Sequence, residues 1–405
     1  MAKFFNSPMF QENLHTDEVY KKFLIFRKEN DVWKFPYITE IKVVGLTSLD
    51  RLLSDGKVMK TTLESNGTVE EVEIPLTEDN IRCIDEGPGI FVRVPVENKN
   101  VWYPTTFSTY YTLLDRTGLH GSAMTNWEEQ PKKGVFSPKR KAQFLQEALD
   151  LYKSTCKVKA SVLIRDDHVE AVLSSSYGVL PMKDLVEILE RQLKNDHPAY
   201  EFHKATVSQE YLKAEYLVND TLADYNFAKY LGDGAKAGIG FVTSDIGMSE
   251  AKLYVFCQMG DRTSYFHESV GLRHDSNNHV SDFVERANKS NAYLKECEDQ
   301  VENQGETQIT NVAATVFKIA SDDRSLFSAK ETESEVESLR LNAAQNGTGI
   351  DVFLALERIA DATVKARGGD LAKEIASKEG IARYLFKDFA KVDKQLQIEK
   401  EALLA

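Results

Sequence analysis

The 405-residue chain has few cysteines, no long apolar run and none of the common catalytic signatures. Its four cysteines are at least 40 positions apart, so no Cys-x-x-Cys pair is available to hold zinc: Cys83, Cys156, Cys257 and Cys297. Such isolated cysteines favour buried, reduced thiols. The sequence also contains no Walker A loop, HExxH segment or GxSxG turn. The usual signatures of P-loop ATPases, zinc proteases and serine hydrolases are therefore absent.

The chain also lacks the apolar segments that secretion and membrane insertion require. The N-terminus, MAKFFNSPMFQENLH, carries polar residues throughout and has no apolar core of a signal peptide. No stretch approaches the roughly 18 apolar residues that cross a bilayer as a helix. We therefore expect a soluble protein of the cytoplasm with no membrane partner.

Basic residues are in the minority. Lys and Arg number 50 against 63 Asp and Glu, which gives a net charge of −13 with histidine neutral. This excess of acid argues against a broad basic surface that coats nucleic acid or a membrane. Apolar residues at 42% and charged residues at 28% are ordinary for a globular protein, so a wholly disordered chain is excluded. One narrow basic site remains compatible with the overall charge.

The hydrophobic pattern changes twice along the chain and predicts an α+β fold in three parts. Residues 1–130 are predicted to form a β-rich domain, with an antiparallel β meander in about the first hundred residues. Residues 131–280 are predicted to form a mixed α+β domain with hairpins, and residues 281–405 a helical region. The connections in the first two parts are short. Short connections favour antiparallel pairing, because a parallel pair needs a long crossover.

Two turn signals support the meander. Asn66-Gly67 lies between two β-rich segments, and this dipeptide supplies the positive φ angles of a type I′ hairpin turn. A second turn, over 86–89, lies between the β-rich residues 81–84 and 90–96. The sequence therefore predicts two consecutive hairpins.

The helical region begins with apolar residues that recur at steps of three and four positions. This recurrence is typical of a seam between packed helices. The residues of the seam are Val280, Phe283, Ala287, Leu294, Cys297 and Val301. We expect the seam to face a partner helix, which predicts a homo-oligomer that assembles through the C-terminal helices.

One segment reverses the acidic charge of the chain. Residues 132–141 carry five positive charges and no negative charge. Lysine and arginine bind phosphates, and an aromatic ring can stack on a base. The candidate nucleic-acid contacts are Lys132, Lys133, Phe136, Lys139, Arg140 and Lys141. The alternative is a solvated linker that leads into a helix with a basic start.

Three histidines, His267, His274 and His279, lie within 13 positions. Imidazoles could bind zinc or iron together with nearby carboxylates if they converged. Their spacing matches no common metal motif, so ordinary hydrogen-bonded histidines are the alternative, and we predict no metal and no cofactor. Asp245 follows a strand and could bind a cation with a second carboxylate, or form a turn through local backbone amides.

Several short segments occur in an order that is typical of one protein family. Residues 170–177, Glu-Ala-Val-Leu-Ser-Ser-Ser-Tyr, are similar to an Arg-Ala-Val-Leu-Ser-x-x-Tyr segment, with Glu170 in the place of the arginine. The later segments resemble, in order, Asn-Ser-Glu-Val-Gly, Cys-Thr-Asn-Gly, an Arg-His pair and a late helix. These segments contain Ser244, Asp245, Gly247, Cys257, Arg273, His274 and residues 349–356. Ser244 and Gly247 match the first of them, whereas Thr243 and Asp245 are substitutions. Over roughly residues 105–366, the chain resembles the phage/plasmid-like proteins of unknown function.

That resemblance implies a mobile-element origin and a bacterial cytoplasm, but no established chemistry. Our leading hypothesis is a non-catalytic phage accessory protein that holds single-stranded DNA during annealing or recombination. Arg165 and Arg273 are expected to help the basic segment in that contact. The first alternative is an antagonist or trigger of a host defence system that acts by protein–protein contact. The second is a metal-dependent enzyme that uses His267, His274 and Asp245.

Overall fold

The structure is a computed structural model with an α+β fold, as the sequence predicts. It describes residues 11–47, 58–65, 68–97, 99–119, 137–153, 158–268, 271–341, 345–369 and 371–404. The strands are β1 (Gln11–Leu14), β2 (Asp31–Lys34), β3 (Lys42–Gly45), β4 (Val58–Ser65), β5 (Thr68–Pro75), β6 (Ile90–Val96), β7 (Lys99–Pro104), β8 (Ala160–Arg165), β9 (His168–Ser174), β10 (Glu201–Ser208), β11 (Leu212–Leu217), β12 (Lys236–Thr243), β13 (Lys252–Met259), β14 (Arg262–Glu268), β15 (Gln308–Ile309) and β16 (Gly347–Thr348). The α-helices are α1 (Asp17–Asn30), α2 (Glu78–Asp85), α3 (Phe107–Arg116), α4 (Pro138–Lys153), α5 (Met182–Asp196), α6 (Thr221–Leu231), α7 (Phe283–Ala287), α8 (Ser290–Glu306), α9 (Val312–Asp322), α10 (Ala329–Leu341), α11 (Gly349–Ala366), α12 (Leu371–Ala382) and α13 (Phe389–Leu404). Within these described ranges, no helix is long and apolar enough to cross a bilayer.

An antiparallel six-stranded sheet, in the order β1-β10-β11-β12-β13-β14, forms the centre of the molecule. Its largest core joins the sheet to α1, α5 and the C-terminal helices through buried apolar side chains such as Leu189, Phe241 and Phe353. The N-terminal strand β1 closes one edge of this sheet, although it lies almost two hundred residues before its partner. The N-terminus is therefore part of the central sheet.

Two three-stranded sheets, β3-β6-β7 and β2-β8-β9, lie beside the central sheet. They share a second core with α3 and α4, which includes Val43, Leu113, Leu145 and Val162. This core joins residues from both sides of position 130, and the largest core joins residues from both sides of position 280. The division into domains at 130 and 280 stays a prediction.

The first predicted hairpin is present, and the second is not. Strands β4 and β5 pair in register, with Glu64 opposite Val69. Residues 81–84, predicted as a strand, belong instead to helix α2, and β6 pairs with β3 and β7. The Thr77 side chain accepts a hydrogen bond from the Asn80 amide at 3.1 Å, which caps the helix. An N-cap and two acids in the first turn outweigh a short β-rich segment.

The predicted helical seam is buried inside the chain. Phe283, Ala287, Leu294, Cys297 and Val301 all lie in the largest core, where α8 packs against β13, α6 and α11. The expectation that these residues are exposed to a partner helix is therefore wrong. The apolar pattern correctly predicted a buried helix face, but that face packs against other elements of the same chain. Assembly into an oligomer stays a prediction.

Candidate functional site

The structure describes half of the predicted nucleic-acid contacts. Lys139 and Arg140 are exposed in the first turn of α4, and the Lys141 ammonium lies 5.1 Å from the centre of the Tyr110 ring. Lys132, Lys133 and Phe136 lie outside the described residues. The described part of the basic segment is thus a helix start with two exposed cations.

The position of this helix start is fixed by close backbone contacts. A Cβ atom on Gly45 would lie 2.0 Å from the Pro138 carbonyl oxygen, so only glycine allows β3 to approach α4 this closely. The Ser137 carbonyl accepts hydrogen bonds from the amides of Arg140 and Lys141, each at 3.0 Å. Pro138 follows as the first helical residue, where its fixed φ angle favours the helix. The basic residues are therefore attached to a closely packed part of the fold.

Three of the segments that resemble the family, around Tyr177, Asp245 and His274, meet at a second place, between the central sheet and the β2-β8-β9 sheet. The loop after β12 begins with Ser244, whose hydroxyl accepts hydrogen bonds from the amides of Ile246 at 3.3 Å and Met248 at 3.1 Å. Gly247 has a φ of +79°, a conformation that favours glycine. Ser244 and Gly247 thus form the turn, which leaves the Asp245 carboxylate to point into the protein.

The Asp245 carboxylate belongs to a buried network of charges. Its Oδ2 atom accepts hydrogen bonds from Arg27 Nη1 at 3.2 Å and from Arg165 Nη2. Arg165 also donates to both carboxylate oxygens of Asp31, at 2.5 and 2.9 Å. Arg27 and Arg165 are 2% and 1% exposed. Arg165 is therefore a structural cation of this network, and the expectation that it contacts DNA is wrong.

A third carboxylate, that of Glu170, faces the same network. Leu163 pairs with Ala171 and Ile164 pairs with Val169, so Glu170 is the extra residue of a β-bulge in β9. A bulge redirects a side chain that regular alternation would place on the other face of the sheet. Burial raises the pKa of Glu170 to about 7, and the nearby Arg27 opposes this rise. Burial also raises the pKa of Asp31 and of Asp245.

An aromatic stack lies against the network. Tyr177 is stacked between Trp33, at 5.5 Å between ring centres, and His274, at 5.2 Å. The Tyr177 hydroxyl donates to the Asp245 carbonyl at 2.8 Å and lies 3.0 Å from His274 Nδ1. Burial lowers the pKa of His274, which favours the neutral ring. The Thr243 hydroxyl, 3.3 Å from His274 Nε2, is then placed to donate to that nitrogen.

The other candidate residues lie elsewhere. Cys257 is buried in β13 within the largest core, and the exposed Arg273 pairs with Glu250 at 2.9 Å. His279 precedes a short 3-10 helix and donates its amide to Asp282, while the side chain of His267 lies outside the description. In the parts of the chain that are described, no group of three or more His, Cys, Asp or Glu side chains could hold a metal ion.

Sequence reasoning missed three members of the site, Arg27, Asp31 and Trp33. They come from the N-terminal region, far along the chain from the family-like segments. One signal was present: Tyr20, Phe23 and Arg27 share one face of α1, and that face is buried. A charged residue that continues an apolar helix face indicates a buried ion pair.

A pocket of about 210 Å³ opens beside the network, and we call it the Asp245 pocket. Its lining combines the charged residues with the aromatic stack and an apolar loop: Arg27, Lys28, Asp31, Trp33, Tyr177, Val179, Leu180, Pro181, Met182, Lys183 and Asp245. Asp245 Oδ1 is buried and has no hydrogen-bond partner among the described residues. The pocket therefore combines charged, aromatic and apolar surfaces, while the unmatched Oδ1 atom is buried and not accessible from it.

The chain was compared with known proteins. No family model, curated protein or solved structure matches it. The likeness to phage/plasmid-like proteins therefore stays a prediction from the order of short segments.

Proposed function

We propose that this protein is a non-catalytic accessory protein of a phage or other mobile element, which holds single-stranded DNA in the bacterial cytoplasm. The observation that carries the proposal is the exposure of Lys139 and Arg140 on the first turn of α4. That turn contains no acidic residue, in a chain whose net charge is −13. Phosphate binding at this one place is therefore not opposed by neighbouring acids of the same turn.

The geometry of α4 favours an anion as the ligand. The helix dipole gives the start of α4 a partial positive charge, which adds to that of the two exposed side chains. Lys132, Lys133 and Phe136 immediately precede this turn in sequence and extend the basic segment. Each phosphate contact on a single strand contributes about 0.7 to the slope of log K against log salt concentration.

The test is a titration of labelled single-stranded DNA at low ionic strength, followed by fluorescence anisotropy. We expect salt-sensitive binding that weakens in a Lys139→Ala/Arg140→Ala variant. The matched control is Lys391→Ala/Lys394→Ala, which removes two exposed cations from α13 and should bind like the wild type. An absence of salt-sensitive binding by the wild type contradicts the proposal.

A second candidate function, contact with a host protein, is favoured by a different observation. Strand β2 is an edge of its sheet, and apolar side chains of this region are exposed: Val32 by 44%, Phe35 by 54% and Tyr37 by 41%. Exposed strand edges are templates for pairing with another chain. If the protein antagonises a defence system through this edge, a Phe35→Lys variant should fail to capture a host protein that the wild type captures. Equal capture by both forms contradicts this role of the edge.

A further inference from the structure

Strand β2 has an open edge, and its pairing with β8 shows which residues face that edge. The two strands keep one register from residue 31 to residue 37. The Pro36 carbonyl accepts a hydrogen bond from the Ala160 amide at 2.9 Å, so the even-numbered residues of this segment bond to β8. The carbonyls of Asp31, Trp33 and Phe35 therefore point away from β8. Among the described residues no strand pairs with this edge, and Pro36 does not obstruct it because its nitrogen faces β8.

The side chains along this edge lie beside the Asp245 pocket. Asp31 and Trp33 line the pocket. Phe35 lies two residues further along the same face of the sheet, is 54% exposed and does not line the pocket of its own chain. The volume of about 210 Å³ has room for a phenyl ring, because an apolar cavity of about 150 Å³ binds benzene.

The pocket favours an uncharged, apolar group. Its two lysines already have partners, because Lys28 pairs with Asp184 at 2.6 Å and Lys183 pairs with Glu187. The other charged lining residues belong to the buried network. The rest of the wall includes the apolar segment 179–182. A charged group would therefore find no unmatched partner in the pocket, whereas an apolar side chain would cover apolar surface.

We propose that β2 pairs antiparallel with β2 of a second copy of this chain, about a two-fold axis at Trp33, and that Phe35 of each copy enters the Asp245 pocket of the other. In this register Phe35 lies opposite Asp31 of the second copy, at the pocket. The Phe35 amide meets the outward Asp31 carbonyl, whereas the Asp31 amide stays bonded to the Arg27 carbonyl within its own chain. A two-fold axis makes the contact self-complementary and closes the assembly as a dimer.

Neighbouring registers are less favourable. An axis at Lys34 would place the two copies of that lysine directly opposite each other, and like charges in this position are destabilising. An axis at Val32 would place Phe35 opposite residue 29, which belongs to helix α1 and offers no strand edge. The axis at Trp33 instead places Lys34 opposite Val32 of the second copy. The charge pattern and the length of the strand therefore favour one register.

The dimer does not depend on DNA binding at α4. It does compete with the contact to a host protein at the same edge, because one strand edge pairs with one strand. The oligomeric state of the purified protein distinguishes the two occupants.

The first test is analytical ultracentrifugation of the full-length protein from micromolar to submillimolar concentration. We expect a reversible monomer–dimer equilibrium. Phe35→Lys places an unpaired charge at the pocket and should weaken association by at least about tenfold. The matched control is Phe317→Lys on α9, which changes another exposed phenylalanine and should associate like the wild type. A wild type that stays monomeric, even if it captures a host protein through Phe35, overturns the proposal, as does equal association by Phe35→Lys.

The second test measures the register by disulfide formation. Val32→Cys and Lys34→Cys are prepared separately in a Cys156→Ser background, which otherwise contains only the three buried thiols. In the proposed dimer these two positions face each other with Cα atoms about 4.5 Å apart, which suits a disulfide. Identical positions are diagonal neighbours about 7–8 Å apart. A mixture should therefore cross-link faster than either variant alone. Equal rates overturn the register, and no cross-link in the mixture overturns the pairing.

Discussion

The strongest structural prediction concerns Arg165, the cation at the centre of the buried network. Replacing it with methionine keeps an unbranched side chain but removes the charge that Asp31 and Asp245 share. Removing one partner of a buried ion pair leaves an uncompensated charge, which costs about 3–5 kcal/mol. We expect Arg165→Met to lower the free energy of unfolding by about that amount. The assay is urea denaturation followed by circular dichroism.

Two further variants distinguish charge from packing. Asp31→Asn in the Arg165→Met background removes one of the uncompensated charges, so it should restore part of the lost stability. Lys318→Met breaks an exposed pair with Asp322 at 3.1 Å and should cost less than about 1 kcal/mol. If Arg165→Met costs no more than Lys318→Met, the buried charge of Arg165 does not stabilise the fold as we expect.

Three other predictions follow from single features. Burial raises the pKa of Glu170 from its ordinary value of 4.5 to about 7, so the folded protein keeps this proton to higher pH than the unfolded chain. As pH rises from about 5 to 8, the free energy of unfolding of the wild type should therefore fall relative to that of Glu170→Gln, by at most about 3 kcal/mol. Parallel pH profiles for the two forms would argue against a buried proton. In Gly45→Ala, the new Cβ atom would lie 2.0 Å from the Pro138 carbonyl oxygen, so the start of α4 should shift. Both DNA binding and the melting temperature should fall as a result. If neither changes, β3 does not approach α4 this closely. In a Cys156→Ser variant, the three buried thiols should react with Ellman's reagent only after denaturation, because burial raises their pKa values. Rapid reaction of the native variant would show that at least one of them is accessible.

The sequence predicted those parts of the fold that local patterns determine. The hairpin around Asn66-Gly67 and the helical character after position 280 both follow from short-range signals. Residues 81–84 were misjudged because four β-rich residues are too few to outweigh a capped helix start at Thr77. The seam at Phe283 was assigned to a partner because periodicity identifies a buried face but not the chain that buries it.

The candidate site was predicted only in part. Tyr177, Asp245 and His274 lie in the segments that resemble the family, and the structure brings them into contact. The face of α1 indicates that Arg27 is buried and paired, but neither Arg27 nor Trp33 could be assigned to this site, because they reach it through long-range strand pairing of β1 and β2. No local pattern encodes a contact between α1 and a loop more than two hundred residues later.

The measurement that tests the proposed function most directly is the salt dependence of single-stranded DNA binding. The wild type and Lys139→Ala/Arg140→Ala are titrated at several salt concentrations, and log K is plotted against log salt concentration. If both side chains contact phosphates, the slope should become shallower by about 1.4 in the variant. A slope that is the same in both proteins, or a wild type that does not bind, would contradict the account.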